Sequence, residues 1–366
     1  MIAISPYQLF SLMVLFQIGT TIIFGFASGA GRDAWISASA SSLIGSALVA
    51  GYAAITKLNG YVSLVGCLRK RLGKWAGTPL AWLYVLVFIY EAARGVSDLK
   101  FLVPLTILPE TPAWFFTAAF LMLVVYTARA GLEVLCRIAG VLLPVLIAFI
   151  ILETLLLVVS GSLRFEYLTP FFSEGYQRVA KSIWPTGIMQ SYGESIEMTV
   201  FWFVLNKRGI LGRISVGATL FAGFFIVLFD VLSITTLGEH IFQGRIIPAF
   251  IVMRLVSVAD FLENLEAVGS LYFICTIFVK ITVHTLAAAL CMRELTYASK
   301  NNAAIWITAC FTYVIGLTMA SNFSEHLKAG IEITPKTILV PICLVLPGIV
   351  LSLSLFEKAK DKRAAR

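Results

Sequence analysis

The stretch FQIGTTIIFGFASGAGRDAW, running from Phe16 to Trp35, decides the fold, because an apolar segment of membrane-crossing length is interrupted there by residues that a plain span avoids. Gly19, Thr20 and Thr21 sit inside it, Gly25 follows, and Gly29 and Gly31 lead to Arg32-Asp33. Glycine within a helix costs about 1 kcal/mol relative to alanine. In lipid, any backbone group that a break sets free must be satisfied by protein, trapped water or ligand. One reading is a broken first span that lines a cavity. The other is a close helix-helix contact built from small residues. The spacing alone leaves both open, and a second segment of the same kind favours the first.

Composition places the rest of the chain around this stretch. Of 366 residues 59% are hydrophobic and only 13% charged, with a mean hydropathy of +0.91, whereas soluble domains are about 45–50% apolar. Runs of about 20 apolar residues recur, the length that crosses a hydrocarbon core as helix. Alternating strand patterns are absent, and no connection is long enough for a soluble domain. The first run has no Lys or Arg before it, so it reads as a retained span and not as a signal peptide. Six cysteines without CxxC spacing argue against a disulfide framework or a metal site, and no cofactor motif is present. The net charge of +8 comes from basic residues clustered beside spans, which is a topology signal and not a nucleic-acid-binding face.

The periodicity predicts an all-α integral membrane protein of ten spans, at 7–30, 37–56, 80–103, 113–128, 138–160, 185–205, 214–237, 261–290, 303–320 and 337–356. One set of alternate connections holds Lys57, Arg69, Lys70, Arg71, Lys74, Arg129, Arg137, Lys207, Arg208, Arg213, Arg293, Lys300 and the basic tail 357–366. By the positive-inside rule that side is cytoplasmic, with both termini on it. On the other side, residues 161–182 and 246–258 read as structured connections. The second is either an interfacial amphipathic segment or a packed loop.

Ten spans divide into two sets of five, 7–160 and 185–356, and an odd number per set inverts the second. The first span of the second set, WPTGIMQSYGESIEMTVFWF, is again interrupted, by Pro185, Gly187, Gly193 and Ser195 around Gln190, Glu194 and Glu197. Broken helices at matching positions of inverted halves point to a transporter-type site at the repeat interface. Gly19–Gly25 should therefore approach Tyr192–Glu197. The third span of each half is polar as well. Glu91, Arg94 and Asp98 share one face of the third, and Glu263, Glu266, Ser270, Phe273, Ile277, Lys280 and His284 follow 3–4 spacing along the eighth.

An ionisable side chain at the bilayer centre costs at least about 2.5 kcal/mol and needs a partner. Arg94 could pair with both of its neighbours as a structural tie, and Lys280 could snorkel towards the cytoplasm. Glu194 and Glu197, three residues apart, lie on nearly one face, where one could bind a ligand ammonium, carry a coupling proton, or meet Lys280 or Arg94. Asp230 and Glu153 read as structural acids. Free amides at a helix break suit a carboxylate and a nearby acid suits an ammonium, so a small amino acid is the natural ligand. His240, His284 and His326 are scattered, with no HExxH, GxSxG or P-loop pattern, and no enzyme is expected.

Three stretches carry a resemblance over essentially the full length: IGTTIIFGF with the downstream RDAWIS, SIEMTVFWFVLNK, and FLENLEAVGSLYF after Pro248. Together they resemble the spore germination permeases, the B subunits of GerA-type germinant receptors, in the amino acid/polyamine/organocation transporter superfamily. The resemblance matches Asp33-Ala34-Trp35-Ile36 to the family's Asp-x-Trp-Ile, Glu197 to its sixth-span glutamate, and Glu263 and Glu266 to an acidic pair opening the eighth span. Thr20-Thr21, Ser195 and Phe273 depart from the family's usual glycines and tryptophan, which bears on the ligand and not on the fold. The resemblance implies a receptor in the cell membrane or inner spore membrane that binds an amino acid or similar nutrient and works with an A-type membrane subunit and a C-type lipoprotein. A secondary amino acid transporter, proton- or ion-coupled, is the alternative, since both need the same site. Residues expected at the ligand are Gly19, Thr20, Thr21, Gly25, Tyr192, Gly193, Glu194, Glu197 and Phe273. Glu91, Arg94, Asp98, Glu263, Glu266, Lys280 and His284 are expected to form an intramembrane polar network.

Overall fold

Ser5 and Gln8 start the first crossing with a reciprocal cap: the Ser5 hydroxyl accepts from the Gln8 amide at 3.2 Å and the Gln8 side chain accepts from the Ser5 amide at 2.8 Å, with Pro6 at the first helical position. The computed structural model describes residues 4–25, 27–106, 108–255, 257–258, 262–263, 266–297 and 301–364, and gives backbone only at 257–258, 262–263, 266–268, 301, 362 and 364. Helix Pro6–Ile18 stops at Gly19, whose φ of 43° is outside the helical range. A single turn, Thr21–Phe24, follows and ends at Gly25 with φ 64°, after which a 3-10 segment, Ser28–Asp33, leads into Ala34–Leu58. Side chains are excluded here by contact as well as by torsion: a Cβ on Gly19 would lie 2.8 Å from Lys280 Cδ, and one on Gly25 2.9 Å from Pro248 Cγ.

Among the described residues eight helices are long and apolar enough to cross a membrane, and the apolar helix Asn302–Thr318 is slightly shorter. The tenth crossing in the count is the sixth in order. It is a π-helical turn Ile183–Gly187 followed by 3-10 segments Gly193–Val200 and Trp202–Val204, not one α-helix. The protein is a multi-pass, all-helical membrane protein with broken first and sixth helices; among the described residues the only strands are the two-residue pair Ser257–Val258 and Leu262–Glu263.

Three expected boundaries move. The third crossing belongs to helix Leu64–Thr106, which turns at Gly73 (φ 74°), so the basic stretch before it is helical and not a loop. The eighth begins at Glu266, not at 261. The tenth begins at Phe323, well before 337, and runs through π-helical Ala329–Ile333 and Pro335–Val345 into Leu346–Ala364. Its first turns read as polar loop (SEHLKAGIE), yet they bury His326, and hydropathy cannot see a helix whose apolar share is that small. Connection 246–258 contains helix Pro248–Leu255 with Phe250 and Met253 buried, a packed element against the bundle.

Small residues set the helix spacing, as expected where lipid supplies no drive for helices to associate. A Cβ on Gly45 would sit 2.4 Å from the Tyr192 ring, one on Gly223 1.9 Å from Ser42 Oγ, and one on Gly316 2.8 Å from Ala93 O. Exposed Leu86, Val141, Phe224 and Phe311 cover the outside. Ile4 and Glu357 lie at one face: Ile4 bonds the backbone at Val204 and Asn206, Tyr61 donates to Arg208 O at 3.0 Å, and Arg71 pairs with Glu357.

Candidate substrate cavity

At the break in the first crossing, Thr21 Oγ1 lies 3.0 Å from Ser191 Oγ of the sixth. Gln17, just before the break, donates to Ser195 Oγ at 2.8 Å and to Thr219 Oγ1 at 3.0 Å. The two interrupted helices are thus joined at their breaks by side-chain hydrogen bonds. Beside this joint lies a cavity of about 260 Å³. Thr20, Thr21, Phe24, Gly25, Ser28 and Gly29 form one wall, Arg94 and Asp98 come from the third crossing, and Lys280 comes from the eighth. The rest is Arg178, Lys181, Ser182, Thr186 and Gln190, with Leu327 and Ile331 of the tenth.

Behind the Lys280 side is a buried row of charged and titratable groups. Lys280 Nζ is 2.7 Å from Glu194 Oε2, an ion pair without hydrogen-bond alignment, and stands 5.8 Å over the Phe16 ring. Glu194 Oε2 is also 3.9 Å from His284 Nε2, while His284 Nδ1 meets Glu197 Oε1 at 2.7 Å. Phe16 closes over this imidazole edge-on, with ring centres 5.2 Å apart. Snorkelling of Lys280 is therefore not observed, because Glu194 offers a counter-ion within the bundle. Glu197 meets neither Lys280 nor Arg94 but His284.

On the third crossing Arg94 Nη1 is 3.3 Å from Glu91 Oε2, whereas Asp98 is taken by His326 Nε2 at 2.7 Å. The expected triad is thus an arginine-glutamate pair plus a link to the tenth crossing. The seat for Arg94 is Gly330, where a Cβ would fall 2.1 Å from Nη2. Glu153 accepts from Tyr272 at 3.0 Å.

The face opposite Ile4 and Glu357 is tied across the mouth. Glu239 accepts from Arg32 Nε at 2.7 Å and from Arg178 Nη1 at 2.9 Å. Arg178 also pairs with Glu174 at 2.7 Å and donates to Gly29 O at 2.9 Å. Asp33 accepts from the Phe172 amide at 3.1 Å. Burial pushes the Glu239 carboxyl up, but the hydrogen bonds and charges of Arg32 and Arg178 outweigh it and hold the group below the usual carboxylate range.

Of the expected ligand residues, Thr20, Thr21 and Gly25 line the cavity. Gly19 borders Lys280, and Tyr192, Glu194, Glu197 and Phe273 are buried outside the lining. Gly193 gives its carbonyl to Tyr52. The side chains of Glu263 and Glu266 lie outside the described residues. Sequence reasoning passed over Gln17, Ser191, Arg178 and Lys181. Gln17 carried a signal, a lone amide in an apolar run two residues before Gly19, while Arg178 and Lys181 lay in 161–182, read as a structured connection with nothing to tie it to the site.

A family profile described as spore germination protein matches residues 3–324. The chain belongs to the spore germination permease family. It is 25% identical over 365 residues to spore germination protein KB of Bacillus subtilis, covering 99% of this chain and 97% of that one. Over 153 residues, 40% of this chain and 42% of the other, it is 26% identical to spore germination protein GerQB of Bacillus cereus. In fold it is similar to Mhp1, a nucleobase-cation-symport-1 family transporter solved with bromovinylhydantoin bound, at TM-score 0.67 and 13% identity over 96% of this chain and 78% of that one. MhsT in complex with L-phenylalanine aligns at TM-score 0.61 and 14% identity, covering 95% and 86%. These likenesses place the germination permease on an inverted-repeat transporter fold.

Proposed function

We propose that this permease is the ligand-binding membrane subunit of a germinant receptor, taking an amino acid or similar small nutrient in the cavity between its first and sixth crossings. The observation that carries the reading is that cavity, about 260 Å³, set where two helices are interrupted in a chain of the germination family. Repeat-interface sites at broken helices are where transporters of this architecture hold substrate. On this reading 7–160 and 185–356 are the inverted repeats and the basic tail 357–366 is cytoplasmic, as are both termini by the distribution of Lys and Arg. The chain acts in the cell membrane or inner spore membrane with an A-type membrane subunit and a C-type lipoprotein. Thermal unfolding of the full chain co-expressed with those subunits, against a panel of amino acids and sugars, tests it. At about 100 times its dissociation constant a ligand adds about 2.7 kcal/mol, and a panel with no stabilising member overturns the proposal.

A second reading, a proton-coupled permease, is favoured by the row Lys280–Glu194–His284–Glu197, whose contacts of 2.7, 3.9 and 2.7 Å join exchangeable groups behind the cavity. Liposomes containing the chain alone distinguish the two. Gradient-driven uptake that Glu197→Gln abolishes supports transport, and binding without net flux supports a sensor.

A further inference from the structure

The charged side chains that line the cavity are Arg94, Arg178, Lys181 and Lys280 on the positive side and Asp98 on the negative. Each of three cations has its counter-ion outside the lining: Glu91 for Arg94, Glu194 for Lys280, and Glu239 with Glu174 for Arg178. An ion pair oriented in this way is a dipole, and all three turn the positive end to the cavity. Lys181 is exposed and has no ion-pair or hydrogen-bond partner among the described residues. Arg94 keeps its Nε buried without a hydrogen bond, and the Lys280 ammonium is not aligned to donate to Glu194. Asp98 is already occupied by His326 at 2.7 Å. A ligand ammonium therefore finds one acid on the wall, Asp98 with its single hydrogen bond to His326, against four cations, because Glu194 and Glu197 lie outside the lining. A carboxylate finds donors at two places, Arg94 with Lys280 beside the break at Gly19, and Arg178 with Lys181 near the mouth.

Resting on the ligand-binding reading above, we infer that the ligand is a small dicarboxylate, with an acidic amino acid as the natural member of the class. Its two carboxylates would engage the deep and the outer pair of cations. An α-ammonium group, where present, would be met by Asp98, Thr20, Ser28 or Gln190. Selectivity against the isosteric amide follows from unsatisfied positive ends, since hydrogen bonds to charged groups are the stronger ones.

The test is thermal unfolding of the full chain, prepared as for the panel above, in L-glutamate, L-aspartate and succinate against L-glutamine, L-asparagine, L-alanine and L-lysine. The expected result is stabilisation by at least one diacid, with its amide counterpart at least about tenfold weaker in half-saturating concentration. Arg94→Gln should abolish the shift. Because that change leaves Glu91 buried without its cation, Lys181→Gln serves as the variant at an exposed position, and there the half-saturating concentration should rise severalfold with the unliganded melting temperature unchanged. Stabilisation by alanine, lysine or the amides at equal or lower concentration overturns the dicarboxylate assignment and leaves the nutrient-binding reading intact. No stabilisation by any compound of the wider panel overturns both.

Discussion

Lys280 Nζ and Glu194 Oε2 are 2.7 Å apart, a contact that binds the eighth crossing to the sixth at the level where the first is broken. The lysine stem takes the space that a side chain on Gly19 would need, 2.8 Å from such a Cβ to Lys280 Cδ. One ion pair thus fixes the mutual position of three crossings. Removing one member of a buried pair is far more costly than replacing both, because it strands the other charge. Lys280→Met should lower stability by about 3–5 kcal/mol, and Lys280→Met with Glu194→Gln should recover most of it. A double-mutant cycle on thermal unfolding measures the coupling, and additive effects would show that the contact is not energetically real.

The hydrogen bond of 2.7 Å between His284 Nδ1 and Glu197 Oε1 separates shape from polarity. His284→Leu should destabilise by about 3 kcal/mol, since it leaves a buried carboxyl without its partner. Glutamine at the same place can still donate and should lose clearly less. Equal losses in a denaturation series would mean that the imidazole only fills space.

Helix spacing makes a prediction of its own. Gly45→Ala drives a methyl to within 2.4 Å of the Tyr192 ring, and overpacking of this kind costs about 1–3 kcal/mol. A lowered melting temperature checks it. Gly51, where an added Cβ meets nothing within 4 Å, is the control on the same helix and should tolerate alanine.

Gly29 lines the cavity, yet an added Cβ there touches nothing within 4 Å. Gly29→Phe should therefore block ligand without disturbing the bundle: unchanged unfolding in the empty protein, and loss of the ligand-induced shift of about 2.7 kcal/mol at 100 times the dissociation constant. Retained stabilisation in the variant would move the ligand elsewhere.

Acid should loosen the mouth. Glu239 has its carboxyl held below the ordinary range against burial, by Arg32 and Arg178. A group depressed on folding contributes stability that is present above its unfolded value and lost as pH falls through the folded one. Amide exchange in 165–182 should accelerate between about pH 5 and about pH 3. Glu239→Gln should exchange fast already at neutral pH and lose that acid dependence.

How much of this was legible beforehand follows from where the information sits. The breaks at Gly19–Gly25 and Gly187–Gly193 announce themselves, because glycine and hydroxyl residues contradict an apolar run locally. Lys280, His284, Glu194 and Glu197 stand out for the same reason, each a costly residue in a span. Their pairing does not, since which acid meets which base depends on helix rotation, and Asp98 went to His326 instead of Arg94. His326 lay in a stretch that hydropathy reads as loop. The cavity's outer cations, Arg178 and Lys181, sat in a connection that reads as structured, but nothing in its sequence says against which crossing it packs. Only the fold of 161–182 over Gly29, whose carbonyl accepts from Arg178, brings them to the site.

The widened helix of the tenth crossing, Pro335–Val345, is held by two phenols: Tyr84 donates to Ile342 O at 2.7 Å and Tyr52 to Cys343 O. Tyr52 reaches Gly193 O at 3.1 Å as well, so one hydroxyl spans a carbonyl of the broken sixth crossing and one of the tenth. The two acceptors are adjacent residues, and they point to tyrosines on different helices. A turn of the tenth crossing about its own axis cannot lose one latch and keep the other. It is therefore held as a click-stop and not as a dial, with the sixth crossing's break registered to the same notch.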